Sequence, residues 1–197
     1  TEIIYWLGAE DRLAAVSADC DYPAAALAMP KAGTFLRPDV EAIAALRPDA
    51  VFSGGGIQKK AIRSLEKLGI KVIVFYPRGV DDVIRNMEII AGLLGAGAGA
   101  AEKIEGFKKA VEPFAAPEKP RVYAEIWGSP PMAAGGSSFI GDIIKRGGGI
   151  NILEGSVSEY PKVPAEEVLK REPDVVLYLY GGEGLSLIHI SEPTRPY

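Results

Sequence analysis

The 197 residues are 48% hydrophobic and 24% charged with a net charge of -4, which excludes a disordered chain and leaves no basic stripe for nucleic acid or an anionic membrane surface. No apolar run approaches a membrane span. The single cysteine, Cys20, allows neither an internal disulfide nor a thiolate cluster.

In chain order, residues 2–7 read as the first turns of a helix whose preceding strand is missing, ended by Gly8 in the manner of a C-terminal glycine. A short buried strand is expected over 13–16, a turn over 19–23 and one helical turn over 24–28, with loop over 31–38. Asp39 is placed to cap a helix over 40–46, which Pro48 ends. The strand 50–52 runs into Ser53-Gly-Gly-Gly56, and a helix over 58–68, the stop signal Gly69 and a strand over 70–76 follow. Val80, Val83, Ile84, Met87, Ile90, Ala91 and Leu94 form one apolar stripe of a helix that Asp81 and Asp82 favour at its positive end. Gly95-Ala-Gly97-Ala-Gly99 interrupts, and a second helix over 98–112, roughly 20 Å long, can bridge two small lobes as a stiff strut. Beyond it come a strand over 121–127, loop over 128–136, a helix striped by Phe139, Ile140, Ile143 and Ile144, loop over 151–162, a helix over 165–171 and an apolar strand over 175–180. Strands alternating with helices predict an α/β fold with mainly parallel sheets, in two Rossmann-like lobes joined by a long connecting helix.

One correspondence spans the halves. Glu41-Ala-Ile-Ala-Ala-Leu-Arg-Pro-Asp-Ala-Val-Phe52 and Glu166-Glu-Val-Leu-Lys-Arg-Glu-Pro-Asp-Val-Val-Leu177 share a glutamate, an apolar helix face, Pro-Asp and a strand in register. An enzyme would need a perturbed carboxylate, a histidine or an activated nucleophile in a cleft. The only histidine, His189, lies in the C-terminal stretch discussed below, no Gly-x-Ser-x-Gly elbow is present, and carboxylates remain the one catalytic possibility. Ser53-Gly-Gly-Gly56 can cradle a phosphate, but it lacks the Lys-Ser/Thr ending of a P-loop; the alternative is that these glycines admit a ligand close to the backbone.

Thr1-Glu-Ile-Ile-Tyr-Trp-Leu-Gly8, Asp21-Tyr-Pro23, Leu46-Arg-Pro-Asp49, Leu68-Gly-Ile-Lys-Val72, Gly148-Gly-Ile-Asn-Ile152 and Pro161-Lys-Val163 resemble, in order, the signature stretches of the two-lobed, rigid-helix substrate-binding proteins of ABC importers that carry corrinoids, ferric siderophores or haem. The resemblance runs from Thr1 to about Gly184. Asp21-Tyr-Pro23 and Pro130-Pro-Met-Ala-Ala-Gly135, with Tyr160-Pro161 downstream, are most similar to the cobalamin-binding branch. It implies a first lobe over 1–79, its closing helix and the connecting helix over 80–113, and a second lobe over 114–184, with the fold truncated at both ends. It also implies a non-catalytic, monomeric protein, periplasmic or anchored outside the membrane. Such a protein has no cofactor of its own and delivers a corrinoid to a dimeric ABC permease across whose arginine pockets Glu41 and Glu166 dock. The stretch 185–197 resembles the translation of a sequencing-library adapter, and is expected to be a non-native tail.

Carried over residue by residue, the resemblance places Phe35, Ser53, Met132 and Tyr160 at the ligand, with Gly54 and Gly55 beside Ser53. Ser53 and Met132 stand where relatives often carry large aromatics, and Asp19 replaces a common tyrosine, so a wider or softer pocket is expected. An anionic siderophore would instead call on loop arginines, of which Arg37 and Arg78 are the candidates.

Overall fold

A computed structural model describes residues 1–180. The expected tail over 185–197, with His189 in it, lies outside the described residues. The chain divides into two compact units, one comprising Thr1–Pro77 and Asp82–Lys108, the other Arg78–Asp81 and the chain from Lys109 on.

In the first unit, helix α1 (Glu2–Leu7) is closed by Gly8 at φ 76°. Residues 13–15 form no strand, contrary to expectation: only Val16 pairs, in an isolated parallel bridge with Lys31, because the turns that follow leave no second strand to extend the ladder. The chain then makes a 3₁₀ turn over Ala24–Ala28. The Asp39 side chain accepts a hydrogen bond from the Ala42 amide, 3.0 Å away, and so opens α2 (Val40–Ala45). Strands β1 (Val51–Ser53) and β2 (Val72–Val74) pair in parallel through α3 (Lys59–Lys67), with Ser53 opposite Val74. Helices α4 (Val80–Leu94) and α5 (Ala98–Ala110) carry the core of this unit. Met87 and Ile90 from α4 and Ala100 and Ile104 from α5 bury against Ile4, Leu7 and Ala9, and Val83, Ile84, Ala91 and Leu94 of the stripe pack around them. The helix that reads as a strut thus buries one face in this core, although Gly99 and Gly106 lower its intrinsic helix propensity.

In the second unit β3 (Arg121–Gly128) is the central strand. Val122 pairs with Asn151 of β5 (Ile150–Asn151) on one edge and with Val175 of β6 (Val175–Tyr178) on the other, both in parallel. Further along, the β5 edge is taken over by β4 (Pro131–Ala133), antiparallel to β3. The stretch 128–136 read as loop because Pro130-Pro131 discourages a strand. Its tight turn nevertheless lets Pro131 and Met132 reach Gly128 and Trp127 at an edge. One sheet face buries Tyr123, Ala133, Ile152, Leu153 and Val163, with Val168 of α7 (Ala165–Lys170) packed on them; the other buries Val122, Ala124 and Ala134 against Ile144 of α6 (Phe139–Arg146).

Ser138 opens α6. It is 1% exposed, accepts from the Gly141 amide at 3.0 Å and donates to the Gly135 carbonyl at 2.7 Å. Ser138→Ala removes the cap and leaves the buried Gly141 amide without its partner, while the Gly135 carbonyl keeps the Ser138 amide at 3.1 Å, so equilibrium urea unfolding is expected to register a loss of about 1–2 kcal/mol. Arg146, at the other end of α6, ties this unit together: its guanidinium meets Asp142 at 2.9 Å and Asp81 at 2.6 Å, while Asp142 accepts from the Val80 amide at 2.8 Å. Partial desolvation works against its charge, but the two carboxylates outweigh it and hold the guanidinium pKa above its usual value.

Candidate functional site

In the first unit the residues singled out from the sequence lie on one hydrogen-bonded chain. The Phe35 amide donates to Asp19 Oδ2 at 2.5 Å, and the Phe35 carbonyl accepts from Gln58 Nε2 at 2.8 Å. Gln58 Oε1 in turn accepts from the Ser53 hydroxyl at 2.5 Å, whose oxygen accepts from the Gly55 amide at 3.1 Å. Both peptide groups flanking the Phe35 ring are thereby fixed while the residue stays 47% exposed. The glycines are required by this closeness: a Cβ on Gly54 would stand 3.3 Å from the Phe35 ring, and Gly55 has φ 71° with a Cβ position 2.7 Å from Val74. Gln58 escaped the sequence reading, since a glutamine at the start of a helix carries no chemical signature; its five-residue spacing from Ser53 across a glycine turn was the available signal. Asp19 also lines a hollow of about 340 Å³ with Thr1, Glu2, Ile3, Cys20, Asp21 and Tyr22.

In the second unit Met132, half-buried, lies on β4, and residues 161–163 add to the outer edge of that strand: the Ala133 amide donates to the Pro161 carbonyl at 3.0 Å and the Val163 amide to the Pro131 carbonyl at 3.1 Å. Tyr160, also half-buried, immediately precedes this pairing, so Met132 and Tyr160 are brought to the same edge. The sequence reading missed a cluster next to them at the C-terminal ends of β3 and β6. Glu125 accepts from Tyr123 at 3.0 Å and from Tyr180 at 2.5 Å, and Tyr178 meets the Tyr180 ring edge-on at 6.1 Å. Burial, then the Glu125 carboxylate, pushes the Tyr123 phenol far up; the hydrogen bond to Glu125 leads in raising Tyr180 to about 12. Both phenols therefore remain donors to Glu125 throughout the physiological range. In open α/β sheets, ligands bind outside the carboxyl ends of the strands, and both groups of residues occupy such ends.

Glu41 and Glu166 each stand in the first turn of a short helix, α2 and α7, and are exposed. Glu166 pairs at the surface with Lys170, 2.8 Å away. The two corresponding segments agree in backbone as well as sequence. Arg47 at φ 47° and Glu172 at φ 42° both enter the left-handed region just before Pro-Asp, and their amides donate at 3.1 Å to Ala44 and Leu169, which occupy matching positions. Of the arginine candidates, Arg78 pairs with Glu159 at 3.4 Å, and Arg37 is exposed in its loop.

The chain is 28% identical over 182 residues to a vitamin B12-binding protein of Yersinia pestis, a match that takes in 90% of this chain and 65% of that protein, so it spans about two thirds of the length of such curated relatives. The solved periplasmic vitamin B12-binding protein BtuF of Vibrio cholerae superposes with a TM-score of 0.72 at 24% identity, covering 90% of this chain and 72% of that one. The periplasmic haem-binding protein BhuT, solved with two haems, gives 0.74 at 25% identity over the same shares. These likenesses fix the fold as that of solved periplasmic solute-binding proteins. The periplasmic binding protein family model matches residues 1–185, nearly the whole chain, and the chain belongs to that family.

Proposed function

We propose that this chain is an extracytoplasmic, non-catalytic solute-binding protein that holds a corrinoid and presents it to an ABC import permease. The observation that carries the reading is the 28% identity, sustained across 90% of the chain, to vitamin B12-binding proteins. The geometry supports it. A large, flat, partly apolar ligand rimmed by amides is held by stacking and by scattered neutral hydrogen bonds. Phe35, braced on both sides by Asp19 and Gln58, offers the first; the glycine turn at Gly54 and Gly55 offers backbone at close range. On the second unit, Met132 and Tyr160 offer apolar and phenolic contacts. Glu41 and Glu166 are assigned to the permease.

Haem is the second reading, favoured by the 25% identity and TM-score of 0.74 to a haem-binding structure. An anionic siderophore has less support, because Arg78 already faces Glu159. Calorimetric titration of the chain with cyanocobalamin, hemin and a ferric hydroxamate tests all three. Saturable cyanocobalamin binding with a Kd of about 1 μM or tighter is expected, with no heat from the hydroxamate. Binding of hemin alone would replace the corrinoid reading by the haem one, and silence from all three would remove both.

A further inference from the structure

A row of three side chains crosses the edge of the second sheet. Met132 is the register partner of Trp127 on β3 and, on its other side, of Lys162. Directly opposed residues of antiparallel segments share a face, so Trp127, Met132 and Lys162 stand side by side on one face across β3, β4 and the paired segment 161–163. The bonds from Ala133 to Pro161 and from Val163 to Pro131 enclose the Met132–Lys162 pair without joining it. That is the closer kind of antiparallel pair, with Cα atoms about 4.5 Å apart.

Trp127 would not share this face in a regular strand. Glu125 pairs with Ala133 but Trp127 pairs with Met132, so β3 holds one residue more than its partner here. The bulge turns Trp127 away from the Glu125 side, while Gly128 takes that side: a Cβ there would lie 2.7 Å from the Tyr180 hydroxyl. Trp127 is left 57% exposed, and its Nε1 donates to the Ser129 carbonyl at 2.9 Å, which fixes the indole edge and presents a ring face. A large aromatic side chain held open in this way, beside a thioether and with an exposed ammonium at the end of the row, is built for a flat apolar body with oxygen acceptors on its rim.

We propose that Trp127, Met132 and Lys162 form a ligand shelf on which a planar conjugated macrocycle lies, its ring against the indole and thioether and a peripheral carboxylate or amide oxygen at the Lys162 ammonium. The assignment rests on the solute-binding reading above and adds two residues, Trp127 and Lys162, to the site. Calorimetric titration of the 197-residue chain and of Trp127→Ala, Trp127→Phe and Lys162→Ala with cyanocobalamin and with hemin tests it. Trp127→Ala should weaken the bound ring about tenfold, whereas Trp127→Phe should stay within about threefold of the unaltered chain. Lys162→Ala should cost a few-fold against the neutral amides of cyanocobalamin and about tenfold against the carboxylates of hemin, the latter loss shrinking with added salt. Unchanged circular dichroism in all variants separates these losses from misfolding. If the unaltered chain binds a ring and both alanine variants bind it within twofold of that affinity, the shelf is wrong and the solute-binding reading stands. If the chain binds hemin alone and shows these losses, the shelf stands and the corrinoid reading falls. If the chain binds neither ring, both fall together.

Discussion

Replacing Glu41 and Glu166 together by alanine is expected to abolish transport in cells supplied with the cognate permease, while ligand affinity measured by calorimetry changes by less than about twofold. The expectation follows from the positions of the two side chains. Each projects from the first turn of a short surface helix, where a glutamate gains a few tenths of a kcal/mol from the helix dipole and contributes nothing to the buried cores. The exposed Glu166–Lys170 pair is worth about 0.5 kcal/mol or less, so an arginine of a partner can displace Lys170 at little cost. Removing one member of a desolvated carboxylate–arginine pair costs about 2–5 kcal/mol of association, and losing two such pairs exceeds what a transient complex can spare. Single substitutions should each leave partial uptake. A parallel fall in ligand affinity would show that the glutamates serve the fold or the ligand, and would remove them from the docking surface.

Gly141→Ala is expected to destabilise the second unit by about 3 kcal/mol or more, read as a lower urea midpoint, although the residue sits in a helix where alanine is intrinsically favoured. An added Cβ would stand 2.5 Å from the Gly135 carbonyl oxygen and 2.7 Å from that of Gly136. Neither can retreat, because Cβ positions on Gly135 and Gly136 are themselves 2.4 Å and 2.5 Å from the carbonyls of Ser158 and Glu154. Three layers of backbone are therefore stacked with no side chain between them, and it is this stack that holds residues 158–160 beside the end of β4. Gly92→Ala in α4 and Gly106→Ala in α5, where an added methyl meets nothing within 4 Å, should move stability the other way, each by up to about 1 kcal/mol. A destabilising effect at all three positions would point to a general cost of substitution rather than to the stacked backbone.

Much of the fold was legible because its signals are local. Asp39 ahead of an apolar pattern reads as a cap and serves as one, and the three- and four-residue spacing from Val80 to Leu94 marks the buried face of α4. The Pro-Asp repeat likewise marks matching helix ends. What escaped was decided by tertiary pairing. The run 13–16 has strand composition but finds a partner only at Val16, whereas Pro131 and Met132 look like loop and are paired because β3 lies within reach. The candidate residues of the first unit converge, yet the side chain that links them, Gln58, could not be picked out by residue type. Simple alternation puts Glu125 and Trp127 on the same face of one strand, since an extra residue in a ladder leaves no trace in composition.

That extra residue also bears on how such a protein can diverge. With Trp127 withdrawn, Ile126 would fall opposite Met132 and Gly128 would keep Pro131, so the hairpin would be a regular one and the buried rows on both faces would be unaltered. A single codon gained or lost at this point therefore adds or removes the aromatic residue without disturbing the sheet that carries it. On the proposed shelf, a one-residue change of length in this hairpin would alter ligand preference, and homologues differing by one residue here are the place to look for it.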